Sequence, residues 1–171
     1  MNVAAAIARA MKAEGVDILF AYPVNPLIEA AATEDIRTII VRQERTGLHM
    51  ADAYSRVTSG DKIGVFCMQH GPGAENAFGG VAQAFSESVP ILVVPGGYPR
   101  RLATYYPNFN SALNMRNITK WAEPVTTAPA ELMYFANFAT TVLPKRLSRA
   151  SMVISLPFRW DTPSTPRPGQ M

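Results

Sequence analysis

Apolar residues recur along the chain first at helical spacing and then in short continuous runs, and the two patterns alternate nearly to the end. That alternation predicts helices packed on a mainly parallel sheet. Residues 3–14 read as a helix closed by Gly15, a residue common just past a helix end, and residues 17–22 as the first strand. Pro23 and Pro26 punctuate a turn, after which 26–32 reads as a short helix and 37–41 as a second strand. The run Thr38-Ile39-Ile40-Val41 is β-branched throughout, which predicts a strand buried on both faces at the centre of the sheet.

A helix over 44–59, ended by Gly60, and an almost wholly apolar third strand over 62–68 follow. Gly71-Pro72-Gly73 turns the chain into a helix over 73–88, whose Ala74, Ala77, Gly79, Gly80, Ala82 and Ala84 predict a tightly packed face. The fourth strand covers 91–94, and Pro95-Gly96-Gly97 stops it at the rim where open parallel sheets hold ligands. Residues 98–110 contain a Tyr-Tyr-Pro run without periodicity and are expected to be a loop with a functional role. A helix at 111–118, a strand at 121–125, a long helix at 129–147 and a last strand at 151–156 complete the pattern. The predicted fold class is α/β, a three-layer sandwich whose mainly parallel sheet of about six strands is flanked by helices. It occupies residues 1–160, and the proline-rich stretch 161–171 reads as a tail or linker.

Composition narrows the classes of function. A chain of 171 residues with 48% apolar and 17% charged positions is one folding domain, not a disordered segment. The net charge of +3 is scattered except at Arg100-Arg101 and from Lys145 to Arg149, which argues against a nucleic-acid surface. Eight Met and eight Phe beside so little charge fit a domain that covers part of its surface with other protein, so an oligomer is expected. Cys67 is the only cysteine and reads as a core residue of the third strand. Arg9 and Lys12 lie within an amphipathic first helix, which is not a signal-peptide pattern, and no apolar run is long enough for a membrane span. A soluble, cytoplasmic protein is expected.

Two segments could carry chemistry. Arg42-Gln43-Glu44-Arg45 opens a helix directly after a strand. A carboxylate there is either a solvated first-turn acid, favoured by about 0.3–1 kcal/mol through the helix dipole, or a site group at the carboxyl end of the sheet. Gln69-His70-Gly71-Pro72-Gly73-Ala74-Glu75-Asn76 resembles a glycine turn but lacks the spacing of a dinucleotide or P-loop motif. His49 and His70, the only histidines, cannot build a zinc site with the isolated Cys67, and no Gly-x-Ser-x-Gly elbow is present. No metal ligand is assigned to this chain.

Taken together, the segments resemble the N-terminal pyrimidine-binding domain of thiamine-diphosphate-dependent enzymes, of the acetolactate-synthase-like or sulfopyruvate-decarboxylase-like kind. The resemblance rests on Gly15 to Pro23 as opening strand and turn and on Val41-Arg42-Gln43-Glu44-Arg45 with His49 to Arg56 as glutamate-bearing junction. Gly64 to Asn76, with its Gly71-Pro72-Gly73-Ala74 turn, and Val81 to Pro90 complete it, all in the family's order.

The resemblance implies that Glu44 is the catalytic acid beside the pyrimidine ring of thiamine diphosphate. A carboxyl shielded from water and able to exchange a proton with that ring activates the cofactor. It also implies that Pro23, Val24, Asn25, Gly71, Pro72 and Asn76 bind cofactor and that Gln69, His70, Phe109 and Asn110 contact substrate, with His70 a second catalytic candidate. Gln43 stands where the synthases commonly carry His, and Gln69-His70 replaces a small Thr-Ser pair, departures that bear on the substrate. The family's Mg²⁺ motif, Gly-Asp-Gly with a later Asn, is not supplied by Gly60-Asp61-Lys62. Mg²⁺ is therefore expected on a diphosphate-binding partner domain or subunit, in a homodimer or heterotetramer that acts as a lyase, decarboxylase or carboligase. A non-catalytic interaction or regulatory module with the same fold is the alternative.

Overall fold

The computed structural model describes residues 2–102, 105–125 and 152–157. In chain order its elements are α1 (Val3–Ala13), β1 (Ile18–Ala21), α2 (Asn25–Thr33), β2 (Arg37–Ile40), α3 (Glu44–Val57), β3 (Gly64–Met68), α4 (Pro72–Ser86), β4 (Ile91–Gly97), α5 (Ser111–Met115), β5 (Trp121–Pro124) and β6 (Met152–Pro157). Short 3-10 turns cover Arg100–Leu102 and Arg116–Ile118. The predicted helix at 129–147 and the tail at 161–171 lie outside the described residues.

Local chemistry sets the element ends. Asn2 caps α1, its Oδ1 accepting from Ala5 N at 2.8 Å, and Gly15 follows the helix at φ 80°. Pro26 sits in the first turn of α2, and Pro72 opens α4, where the missing N–H has no helical partner to lose.

Among the described residues the strands all pair in parallel, in the order β2-β1-β3-β4-β6-β5. The strands alternate sides. Leu19, Ala21, Val65, Cys67, Leu92 and Val94 join Ile7 and Met11 of α1 and Leu27 and Ala31 of α2 in one apolar cluster. Phe20, Phe66, Met68, Ile91 and Val93 join Leu48 and Ala51 of α3 and Ala74, Ala77 and Val81 of α4 in the other. Both faces of β1, β3 and β4 are thus apolar, which is why those strands read as continuous hydrophobic runs. Cys67 is wholly buried and burial pushes its thiol up to about 12, so it is a core residue as expected.

Two expectations are corrected. The strand at 37–41 is the edge of the sheet, not its centre: among the described residues β2 pairs only with β1, and Ile40 is 54% exposed. A β-branched run reports fitness for a pleated backbone and does not by itself report burial on two faces. The fourth strand also does not stop at Val94. Pro95 pairs with Met68, and Gly96 and Gly97 pair with Leu156 and Pro157, so flanking strands carry the ladder through a sequence that reads as a terminator.

The helices of the second face sit very close to the sheet. A Cβ on Gly64 of β3 would collide with the backbone carbonyl of Ala51 in α3, one on Gly47 of α3 would enter the Phe66 ring, and one on Gly80 of α4 would enter Leu48 of α3. Ser55 ties the same layer together. Its Oγ donates to Pro90 O at 2.6 Å and accepts from Gly64 N at 2.8 Å, and the residue is buried. Ser55→Ala strands a buried N–H and a carbonyl at the starts of β3 and β4. It is expected to destabilise the chain by about 1–3 kcal/mol, read as a lower urea midpoint at unchanged slope; an unchanged midpoint would show that the bridge contributes nothing.

Candidate functional site

The strand order fixes where a crevice forms. From β1 the chain passes through α2 to β2 on one side, then crosses through α3 to β3 on the other, so connections leave the carboxyl ends of β1 and β3 in opposite directions. Open α/β sheets bind ligands at that divergence. Tyr22 N donates to Cys67 O at 2.9 Å, which keeps the two strand ends together as they part. The segments that follow β1, β2, β3 and β4 on this rim hold the residues singled out from the sequence.

Glu44 is the first residue of α3, reached through Val41, which is buried and whose N donates to Ala21 O at 2.9 Å. Its neighbours Arg42, Gln43 and Arg45 are exposed, yet Glu44 itself is only 7% exposed. The solvated first-turn reading is therefore set aside. The close seating of α3 and α4 on β3 turns the carboxyl inward. Glu44 Oε2 accepts from Asn76 Nδ2 of α4 at 3.2 Å. Oε1 has no hydrogen-bond partner among the described residues, and it faces Gly73, where a Cβ would stand 3.3 Å away. A buried carboxyl with one oxygen anchored and one free is equipped to bind or exchange a proton with a group brought to it.

Gln69 and His70 follow β3, and a Cβ on Gly73 would also lie 3.2 Å from Gln69 Cβ, so Gln69 and Glu44 border the same glycine. The Gln69 side chain is exposed and His70 is half-buried. Burial holds the His70 imidazole below its ordinary proton affinity. Gly71 has φ 60° and ψ −116°, a backbone closed to most side chains, and its carbonyl accepts from Glu75 N at 2.9 Å to start α4. Pro72 is exposed in the first turn of that helix.

On the β1 side Pro23 is exposed, Val24 is buried and accepts from Leu27 N at 3.2 Å, and Asn25 opens α2. Phe109 packs against the second apolar cluster. Asn110 caps α5, its Oδ1 accepting from Leu113 N at 2.9 Å. Neither touches Glu44 among the described contacts, and both have duties within this chain. Sequence reasoning passed over Gly73, whose missing side chain lets α4 approach the carboxyl closely, and Tyr98, whose ring meets that of His70 with centroids 4.4 Å apart. The signal for Tyr98 was its place directly after a strand-ending glycine pair.

No helix among the described residues is long and apolar enough to cross a membrane. The family model of the thiamine pyrophosphate enzyme N-terminal TPP-binding domain matches residues 1–120. Among curated proteins, the chain is 42% identical over 104 residues to an acetolactate synthase large subunit of Parasynechococcus marenigrum, covering 57% of this chain and 16% of that protein. It is 39% identical over 105 residues to a probable acetolactate synthase large subunit of Methanococcus aeolicus, covering 60% and 17%. It is 35% identical over 100 residues to the chloroplastic acetolactate synthase 2 of Brassica napus, covering 56% and 15%. The matched segment thus spans about a sixth of the length of these relatives.

Proposed function

The chain belongs to the thiamine pyrophosphate enzyme family as its N-terminal TPP-binding domain, and from that premise we propose that it is the pyrimidine-binding part of a thiamine-diphosphate-dependent lyase or carboligase acting on a 2-oxo acid. Acetolactate-synthase-like carboligation and simple 2-oxo acid decarboxylation both fall within this reading. The observation that carries it is Glu44: buried, anchored by Asn76 through one oxygen, and open at the other.

The residues present fit an aminopyrimidine. Gly73 sets no side chain against Oε1, where a Cβ would already stand at 3.3 Å, and a flat ring nitrogen is a partner that a single free carboxyl oxygen can hold. Thiamine diphosphate, when bound, supplies an acidic carbon that becomes the nucleophile. Glu44 then holds or releases a proton at Oε1, Asn76 fixes the direction of the carboxyl, and burial keeps water from competing for that proton. We place Pro23, Val24, Asn25, Gly71 and Pro72 along the pyrimidine and Gln69 and His70 toward the substrate. Phe109 and Asn110 would contact substrate at the site of a neighbouring subunit. Diphosphate and Mg²⁺ belong on this reading to a partner domain or subunit, because a hard cation bridging phosphates needs the carboxylate and amide set that Gly60-Asp61-Lys62 does not offer. The working assembly is a cytoplasmic homodimer or heterotetramer.

Calorimetric titration with thiamine diphosphate and Mg²⁺ tests the division of labour. Binding is expected only when the chain is mixed with its diphosphate-binding partner. Binding in neither sample would identify a non-catalytic interaction module, and full binding by this chain alone would overturn the shared site.

A further inference from the structure

The segments that leave β3 and β4 meet in a contact between two rings. The centroids of His70 and Tyr98 are 4.4 Å apart and their planes are inclined at 59°. The backbone beneath both is tightly held. Gly71, directly after His70, takes the positive φ of 60°, and a Cβ on Gly96 would stand 3.4 Å from His70 N and 3.8 Å from Gln69 Cα. The end of β4 therefore lies flush against the His70 peptide and delivers Tyr98 onto the imidazole. The pair is one step along the rim from the catalytic carboxyl, since Gln69 Cβ and Glu44 Oε1 border the same Gly73.

A histidine on a turn ordinarily samples several rotamers, and an aromatic ring packed against its face removes that freedom. We propose that Tyr98 is a positioning residue that holds the His70 imidazole in one orientation at the rim, so that a ring N–H is presented to a carbonyl or carboxylate oxygen of the substrate handled beside Glu44. This rests on the functional reading above. The environment suits the role: burial alone lowers the imidazole's proton affinity and so favours the neutral ring. A neutral imidazole offers one N–H and one lone pair, so its orientation decides which of the two the substrate meets.

The test is nuclear magnetic resonance of the full chain with labelled histidine and without cofactor, so that its outcome is independent of thiamine diphosphate chemistry. In the unmodified chain, cross-relaxation between the two rings is expected, and the His70 midpoint should lie below the ordinary value of about 6.5. Tyr98→Leu keeps apolar bulk but removes the ring; the midpoint is expected to stay below the ordinary value while the His70 resonances move to averaged positions, with Tyr98→Phe restoring them. In the assembled enzyme, Tyr98→Leu should lower kcat on the order of tenfold or more through misplacement, again with rescue by Phe. Absent cross-relaxation in the unmodified chain, or a Leu variant with unchanged His70 signals and unchanged kcat, would overturn the proposal. Intact ring coupling in a chain that never activates the cofactor would overturn the functional reading alone.

Discussion

Glu44→Gln is expected to leave the fold intact while slowing proton exchange at the reacting carbon of thiamine diphosphate, in the assembled enzyme, by about 10²–10⁴-fold. The substitution is nearly isosteric, so the close approach to Gly73 survives, and the amide oxygen can still accept from Asn76. What disappears is the ability to release and regain a proton, because an amide does not ionise in this range. Stability should stay within about 1 kcal/mol, since no new group is left unpaired at the anchored oxygen. The decisive measurement is deuterium exchange at that carbon, followed by NMR after acid quench, with a thermal melt as the check on folding. Exchange at the unmodified rate in a folded variant would remove Glu44 from the role.

The second large effect concerns the fold that holds this carboxyl. Gly64→Ala places a methyl group on the carbonyl of Ala51, where backbone and not a flexible side chain blocks the way. α3 would have to lift from β3, and the buried hydrogen bond from Gly64 N to Ser55 Oγ would stretch with it. The expected loss is about 3 kcal/mol or more, at the upper end of overpacking costs, equivalent to a fall in Tm of roughly 6–12 °C for a chain of this size. Gly79→Ala is the matched control. It lies inside α4 with nothing within 4 Å of a new Cβ, so it should stabilise by about 0.5–1 kcal/mol through helix propensity alone. Similar melting temperatures for the two variants would show that the tight seating is not what limits stability.

The α/β class and the sequence of elements were legible because both faces of β1, β3 and β4 are apolar and glycine or proline marks their connections. The position of β2 was not, since Thr38 to Ile40 have the same β-branched chemistry at an edge that they would have at a centre. Pro95-Gly96-Gly97 misled for a related reason: strand neighbours, which a local reading does not see, keep that segment in the ladder. At the site, Glu44 could be placed on the rim from sequence, but its burial depended on how deeply α3 sinks, which is decided by three glycines on separate elements. Gly73 and Tyr98, although within segments marked out by the sequence, were not singled out because each acts through a partner distant in sequence or in an adjoining loop.

The contacts at Gly47, Gly64 and Gly80 make the layer under the carboxyl a joint of main chain set against main chain, the Phe66 ring and the Leu48 side chain. A support of that kind has little compliance. The helix that carries the acid cannot shift to absorb a misplacement, which leaves only the side-chain torsions of Glu44 to be fixed, and Asn76 holds those. The position of the Glu44 backbone is thus set by close main-chain contact, and sequence drift on the outer surfaces of α3 and α4 can proceed without retuning it.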